Sequence, residues 1–569
     1  VPHPVLTALL LGLAPGLPDA LVIHNNVTVL IDSVYTETTD LVVVPLTGRG
    51  VARFTTLSVP FRTGWETVEL LEARTGLWRS GRRGSEALVS ERPHHALAGQ
   101  SRLESSMREL VLTMPGLETG DTVVVRTRRV IRSLPLADCY SYHYSPWCRD
   151  SVLAGEFTVI DSRSSGLLVE WSPEFGPPDT TGGALRWSVG PLSPLSGHPL
   201  ALRDRPFAVV ATHDPQSVSR ELHAVLDVTY GSHSALLSEV AALTGRTPDD
   251  MRDWISLNIE YIGADMGDWP GFSPKPPAET IDDGAGVCRD TAVLLVNLIR
   301  AVGGEAWLAM LDTTGGIPGL VGSRSFDHMV VAVPQGDGFR VLDPSAKGVA
   351  DGHSYGLRGT RFLPLTPWGT PLQTIPVDGW EDSLTLVFTG ALGEGSVSGT
   401  LSVTASGAPA ELLCTIMERS HDAYRNTLLE RFFGAENISA VSTTGNTLLI
   451  TGEWSAPGGQ GALLLPGLRD ISFPGTRAAH LLIPACPDRI ELDAPAFESL
   501  TLTLACNGRE VVPPAPVTTG DYSCSISLRG DTLVLRETAR VLPLHPEPGR
   551  IRETLLQRAG TSARTVLTP

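Results

Sequence analysis

Three side chains of this chain have the types and order needed for acyl transfer through a thiol: Cys288, His328 and Asp343. The reactive form of cysteine is the thiolate, which the first turn of a helix stabilises through unpaired N–H groups and the helix dipole. Cys288 falls at such a turn, where Asp282-Asp283-Gly284-Ala285-Gly286 leads into a long apolar run. Gly284 and Gly286 let the chain bend sharply and let a substrate carbonyl approach, while the Cys288 N–H is available to a developing oxyanion. His328 would take the thiol proton and later protonate a leaving amine. Asp343 would orient the imidazole and fix its tautomer. Singly, each residue has a commoner structural role: a buried inert thiol, a core histidine, an aspartate turning the chain before proline. Their combination is what points to catalysis.

The elements that must position them are readable. Thr247-Pro248-Asp249-Asp250 supplies an N-cap, a proline at the first helical position and an acid at the third, so a helix is expected from Pro248 to about Glu260. A second helix is expected to start at Asp282 to Gly286 and to run through Cys288 to Val302. It is apolar nearly all round, as a buried central helix should be. A hairpin follows, His328 to Pro334 and Phe339 to Pro344, joined through Gln335-Gly-Asp-Gly338. If Pro334 pairs with Phe339 or with Asp337, His328 and Asp343 share a face; an odd-length loop would separate them. Asp290, just inside the Cys288 helix, reads as a structural acid at the positive end of the dipole.

The segment NIEYIGADMGDWPGFSPKPPAETIDDGAGVCRDTAVLLVNLIRAVG, followed by SFDHMVVAVPQGDGFRVLDPS, resembles the core of the transglutaminase-like superfamily. That resemblance implies a papain-like core with a helix-borne nucleophile at Cys288, a strand-borne base at His328 and an orienting acid at Asp343. It further implies a side-chain donor to the oxyanion upstream of the cysteine, for which Tyr261 and Trp254 are the candidates, although core packing suits both. Val287, Arg289 and Asp327 stand where the family often has Asp, Lys and Asn, which bears on substrate preference. The flanking β-rich regions are similar to the domains of unknown function that border this core in exported bacterial proteins.

With 569 residues the chain exceeds a single core, and three domains are expected. They are a β-sandwich-like N-terminal domain over 1–232, the transglutaminase-like core over 233–380, and a C-terminal β-sandwich over 381–569. In the last of these a helical insert runs from Glu411 to Phe433. A net charge of −18 argues against a nucleic-acid partner. The apolar run Val5 to Leu17 is too short to cross a bilayer and suits a signal-peptide core or a short helix. The chain starts with Val, and together these features favour a periplasmic or extracellular bacterial protein whose targeting peptide has been removed. No CxxC or HExxH spacing occurs, so no metal site or cofactor is expected. Cys139 and Cys148 are close enough to form a short disulfide, whereas Cys506 and Cys524 suit buried thiols at least as well as a bridge. The leading functional expectation is a cysteine protease or amidase acting on a peptide or protein substrate by hydrolysis. A transamidating enzyme and a non-catalytic scaffold binding peptide or glycan are the alternatives.

Overall fold

The computed structural model describes residues 18–77, 85–93, 107–146, 150–163, 166–192, 194, 206–226, 235–244, 247–262, 274–313, 319–346, 352–354, 357–376, 382–392, 396–407, 410, 435–444, 447–457, 496–505, 517–519, 522–529 and 532–541. The apolar run Val5 to Leu17, the expected helical insert Glu411 to Phe433, and Cys148, Cys414, Cys486 and Cys506 lie outside these residues. The chain is β-rich and multidomain, with two compact units. One comprises 1–345 with 360–374, the other 346–359 with 375–569. No helix among the described residues is long and apolar enough to cross a membrane.

The first unit opens with a mixed seven-stranded sheet. Its central strand, Ala20–Ile31, pairs antiparallel with Tyr35–Pro45 and parallel with Gly155–Asp161. Side chains on a strand alternate faces, so Val27, Val29 and Ile31 are all buried on one side. Two three-stranded sheets pack on that side. Ser141–Tyr144, Ala208–Ala211 and Leu168–Trp171 form one. Thr56–Arg62, Met107–Thr113 and Leu88–Pro93 form the other, next to helix α1 (Gly48–Thr55). They build two separate cores: Tyr35 and Ile131 belong to the first, Val43 and Val123 to the second. Tyr35 and Val43 lie eight positions apart on one strand and therefore share a face.

The same unit contains the elements around Cys288: helices α2 (Pro215–Leu226), α3 (Ala235–Thr244), α4 (Pro248–Asn258), α5 (Pro277–Asp283) and α6 (Cys288–Ala301). A five-stranded sheet accompanies them, in the order Gly338–Leu342, His328–Gln335, Trp307–Leu311, Arg361–Pro364, Gln373–Thr374. The cap of α4 is the one its sequence specifies. Thr247 Oγ1 accepts from the Asp250 N–H at 3.1 Å, and Asp250 accepts in return from the Thr247 N–H. Helix α6 is buried on every side from Asp290 to Ile299. Leu294, Leu295, Leu298 and Ile299 each contribute about 2 kcal/mol by leaving water. The single helix expected from Asp282 to Val302 is in fact two. Asp282 and Asp283 close α5, and Gly284, at φ 61°, terminates it in the left-handed conformation that only glycine adopts without cost.

In the second unit the strands form one continuous eight-stranded sheet. Its order is Ala435–Thr444, Thr447–Pro457, Ser396–Ser406, Asp382–Leu392, Ala496–Ala505, Thr532–Val541, Tyr522–Arg529, Val517–Thr519. The described residues thus show one sheet of the β-rich C-terminal region that the sequence predicts. Period-two alternation specifies which face of a strand is apolar and leaves open what covers that face, so it does not separate a single sheet from a sandwich. Asp382–Leu392 runs parallel to Ala496–Ala505, joining two antiparallel halves.

Candidate functional site

The position of Cys288 is fixed by local chemistry on both sides of it. After Gly284, the pair Ala285–Gly286 lies parallel to Glu260–Tyr261, with the Glu260 N–H donating to the Gly284 carbonyl at 2.8 Å and the Ile262 N–H to that of Gly286 at 3.1 Å. A Cβ on Gly286 would come within 3.1 Å of Asp290 Cβ and 3.3 Å of Thr280 Cγ2, so the chain approaches α5 and α6 here more closely than a side chain comfortably allows. Val287 is the N-cap, with extended backbone and no polar side chain. The cap is therefore made from the other direction. Asp290 Oδ2 accepts from the Val287 N–H at 3.2 Å, and Oδ1 from the Lys275 N–H at 2.9 Å. Asp290 is 2% exposed, so it binds the loop before α6 to the first turn that carries the thiol.

His328 and Asp343 are brought together by the hairpin. Gln335 pairs with Gly338, and Gly336, at φ 58°, takes the positive angle a two-residue turn requires. Pro334 pairs with Phe339, one of the two registers that place His328 and Asp343 on one face. Continuing the ladder sets Asp343 opposite Val330, diagonal to His328. His328 Nε2 donates to Asp343 Oδ2 at 2.9 Å, while Oδ1 accepts from Ser345 N at 2.9 Å and Ser345 Oγ at 2.6 Å. Both carboxylate oxygens are thus occupied. The remaining ring nitrogen, Nδ1, is not used by the carboxylate, and the Cys288 sulfur is near enough to the ring to raise its pKa.

Charge and burial act in opposite directions at this pair. Burial disfavours the imidazolium, but the Asp343 carboxylate and the Cys288 sulfur outweigh it and hold His328 well above its ordinary value. Burial likewise opposes the Asp343 charge, and His328 together with Ser345 overcomes it, so the carboxyl lies below its usual range. Cys288 is 1% exposed, His328 8% and Asp343 3%, so the whole cluster is shielded from water.

Other residues support it. Asp327, just before the histidine, accepts from Thr313 N at 2.7 Å and Thr313 Oγ1 at 2.6 Å, holding the start of the His328 strand to the neighbouring strand's end. The loop before it is tied to the N-terminal sheets. Arg324 pairs with Glu37 at 3.7 Å and Glu66 at 3.3 Å, carboxylates that Arg129 also bridges. Ser323 N donates to the Cys139 carbonyl at 3.2 Å, and Ser325 Oγ bonds Ser141 Oγ at 3.0 Å. Arg340 and Asp249 form a two-point ion pair between the hairpin and the start of α4.

Tyr261 and Trp254 are both partly buried against the core that contains Cys288. Tyr261 pairs with Gly286, two residues before the thiol. Trp254 sits on α4, where its carbonyl accepts from Asn258 Nδ2 at 2.8 Å. Cys139 is a free buried thiol rather than half of a bridge, and burial pushes it up to about 12. Among the described residues no group of three or more His, Cys, Asp or Glu side chains is placed to hold a metal ion. Ser345 and the Arg324 cluster were not singled out by sequence, and Asp327 only as a departure from the family pattern. Only Ser345 left a local signal, as a serine two residues after an aspartate.

Residues 32–196 match a family described as a domain of unknown function with solved structure, DUF3857. None of the curated proteins matches the chain in sequence. In fold the chain is similar to a "putative protease" from Parabacteroides distasonis, with a TM-score of 0.60 and 13% identity over 96% of this chain and 99% of that one. Weaker similarities extend to yeast leukotriene A4 hydrolase (TM-score 0.20, 10% identity, 34% of this chain and 29% of that one). An M1 zinc metallopeptidase from Deinococcus radiodurans is comparable (TM-score 0.19, 12% identity, 35% and 44%). The first similarity extends the shared fold over nearly all of both chains.

Proposed function

We propose that the protein is a cysteine-dependent hydrolase of peptide or amide bonds, with a papain-like, transglutaminase-like core in which Cys288 is the nucleophile, His328 the base and Asp343 the orienting acid. The observation that carries this reading is the burial of thiol, imidazole and carboxylate in one cluster, with a 2.9 Å bond between His328 Nε2 and Asp343 and the Cys288 sulfur raising the pKa of the ring. Similarity in fold to a protein titled a "putative protease" is consistent with it.

The Cys288 sulfur would attack the carbonyl carbon, and the oxyanion would be met by the Cys288 N–H, with Tyr261 or Trp254 as a second donor. As the C–N bond breaks, the imidazolium passes its proton to the departing amine. Water then attacks the thioester, His328 takes a proton from it, and the C–S bond breaks to release the acid and restore the thiol. Because Asp343 stays ionised, it stabilises the imidazolium at each stage without accepting its proton.

The near-complete burial of Cys288 favours a second reading, a scaffold whose thiol is never reached. Two measurements distinguish them. Incubation with a broad peptide and amide panel should give cleavage by the intact protein and none by Cys288→Ala; turnover that survives the substitution refutes the proposal. Iodoacetamide should label Cys288 below pH 7, whereas a thiol that stays unmodified there supports the scaffold. Products carrying an added amine would instead identify transamidation.

A further inference from the structure

Arg289 directly follows Cys288 and carries its positive charge into the protein rather than into water. Its side chain is 13% exposed, and among the described residues neither Nε nor Nη1 has a hydrogen-bond partner. Its ion-pair partner, Asp290, lies 3.5 Å from Nε, and both oxygens of that carboxylate are already engaged. Oδ1 accepts from the Lys275 N–H at 2.9 Å and Oδ2 from the Val287 N–H at 3.2 Å. Asp290 therefore supplies charge to the guanidinium without supplying a hydrogen bond. Arg129 shows the usual arrangement: at 19% exposed it donates to Glu66 at 2.5 Å and pairs with Glu37 at 3.4 Å.

Holding the N–H groups of a cation away from both water and acceptors costs free energy, which implies an acceptor that arrives with a ligand. The surroundings narrow its chemistry. A guanidinium donates in a planar array that fits carboxylate and phosphate oxygens. Asp290, whose side chain is 2% exposed, keeps a negative charge beside the site and would repel a phosphate dianion more than a singly charged carboxylate. The positive end of α6, which begins at Cys288, offsets the one charge that a carboxylate brings. Consecutive Cα atoms are about 3.8 Å apart and the arginine side chain adds about 6 Å, so the guanidinium lies within about 10 Å of the backbone carrying the thiol, the span of about three extended residues.

We infer that Arg289 binds a carboxylate of a peptide ligand, supplied by an acidic side chain or by the free end of the chain, within about three residues of the carbonyl presented to Cys288. Arg289 is then a specificity-determining residue, favouring acidic substrates. That role in turnover rests on the hydrolase reading, whereas the carboxylate site itself does not.

Calorimetry on the full chain carrying Cys288→Ala separates the two, because binding is read without turnover. The probes are acetyl-Ala-Ala-Glu-Ala-Ala amide, its counterpart with Gln in place of Glu, and acetyl-penta-alanine with a free carboxylate. At least one carboxylate peptide should bind about tenfold or more tightly than the Gln amide, and which one does so identifies the source of the charge. Adding Arg289→Gln should reduce that preference to within about twofold. Arg289→Met, which suits a largely buried position, serves as the second variant if the first impairs folding, and unchanged thermal unfolding identifies the proteins to compare. No saturable heat from either carboxylate peptide up to about 10 mM overturns the inference. A preference that survives in the folded variants also overturns it, as does binding of inorganic phosphate without binding of either carboxylate peptide. Retained preference in Cys288→Ala, with no cleavage of the same peptides by the unsubstituted protein, would leave the carboxylate site standing and remove the hydrolase reading.

Discussion

Replacing Asp343 by Asn changes one atom and should disable the thiol by two routes. Oδ1 accepts from the backbone N–H and the hydroxyl of Ser345, and the backbone donor cannot rotate away. The amide oxygen must therefore stay on that side, so the NH₂ group faces His328 Nε2. Two donors cannot meet, and the ring is forced to carry its proton on Nδ1, the nitrogen left for Cys288. An imidazole in that tautomer cannot accept the thiol proton, and without the carboxylate the imidazolium loses the partner that holds its pKa above the ordinary value. Alkylation of Cys288 at pH 6.5 should therefore be at least about tenfold slower in Asp343→Asn than in the unsubstituted protein, because the ring can no longer take the thiol proton. The difference should narrow as pH rises and hydroxide replaces the ring as the base. Iodoacetamide rates from pH 5 to 9, read by intact mass, measure this, and access to the buried sulfur is common to both proteins. Equal rates with equal pH dependence would refute the linkage of sulfur, ring and carboxylate.

Three further outcomes follow from the same geometry. His328 is raised, so its contribution to stability is complete below the unfolded value near 6.5 and fades as pH rises through the folded value; Asp343 is lowered, so its contribution is complete above about 3.9 and fades below the folded value. The unfolding midpoint of the unsubstituted protein minus that of His328→Gln should accordingly be largest between about pH 4 and 6.5 and shrink above, as differential scanning fluorimetry across pH would reveal. Asp290→Ala leaves the Val287 and Lys275 N–H groups without their acceptor and should cost about 2–4 kcal/mol in urea unfolding, with Asp290→Asn recovering part of it. Arg340→Gln should cost less than about 1 kcal/mol by the same measurement, because that ion pair is about one-third exposed on both sides.

The parts of this fold that were legible in the sequence are those governed by local rules. Thr247, Pro248 and Asp250 cap α4 through neighbours a few residues away, and the apolar circumference of α6 dictates its burial wherever it sits. The hairpin register was narrowed to two possibilities because side chains alternate strictly, and Gly336 supports the two-residue turn that realises one of them. What escaped depends on partners distant in sequence. Gly284 ends α5, but its left-handed conformation is not visible in an acidic, glycine-containing stretch that equally suits a helix start. Cys139 lies close enough to Cys148 in sequence to suggest a bridge, yet its place among Leu136, Val218 and Val321 makes it a core thiol. The ties of Arg324 to Glu37 and Glu66 span nearly the whole first unit and leave no spacing to detect.

Those ties of Arg324 bear on how the protein can be handled. A fragment cut to the helices and the five-stranded sheet would release the guanidinium from both carboxylates and strip Ser323 and Ser325 of the backbone and hydroxyl they hold near Cys139 and Ser141. The segment feeding directly into His328 would lose its moorings, and the imidazole would wander from the sulfur. Dissecting the chain into an excised enzyme and a separable N-terminal part therefore runs against its own architecture, and expression should keep residues 1–374 uninterrupted, since 360–374 complete the unit that 1–345 begins.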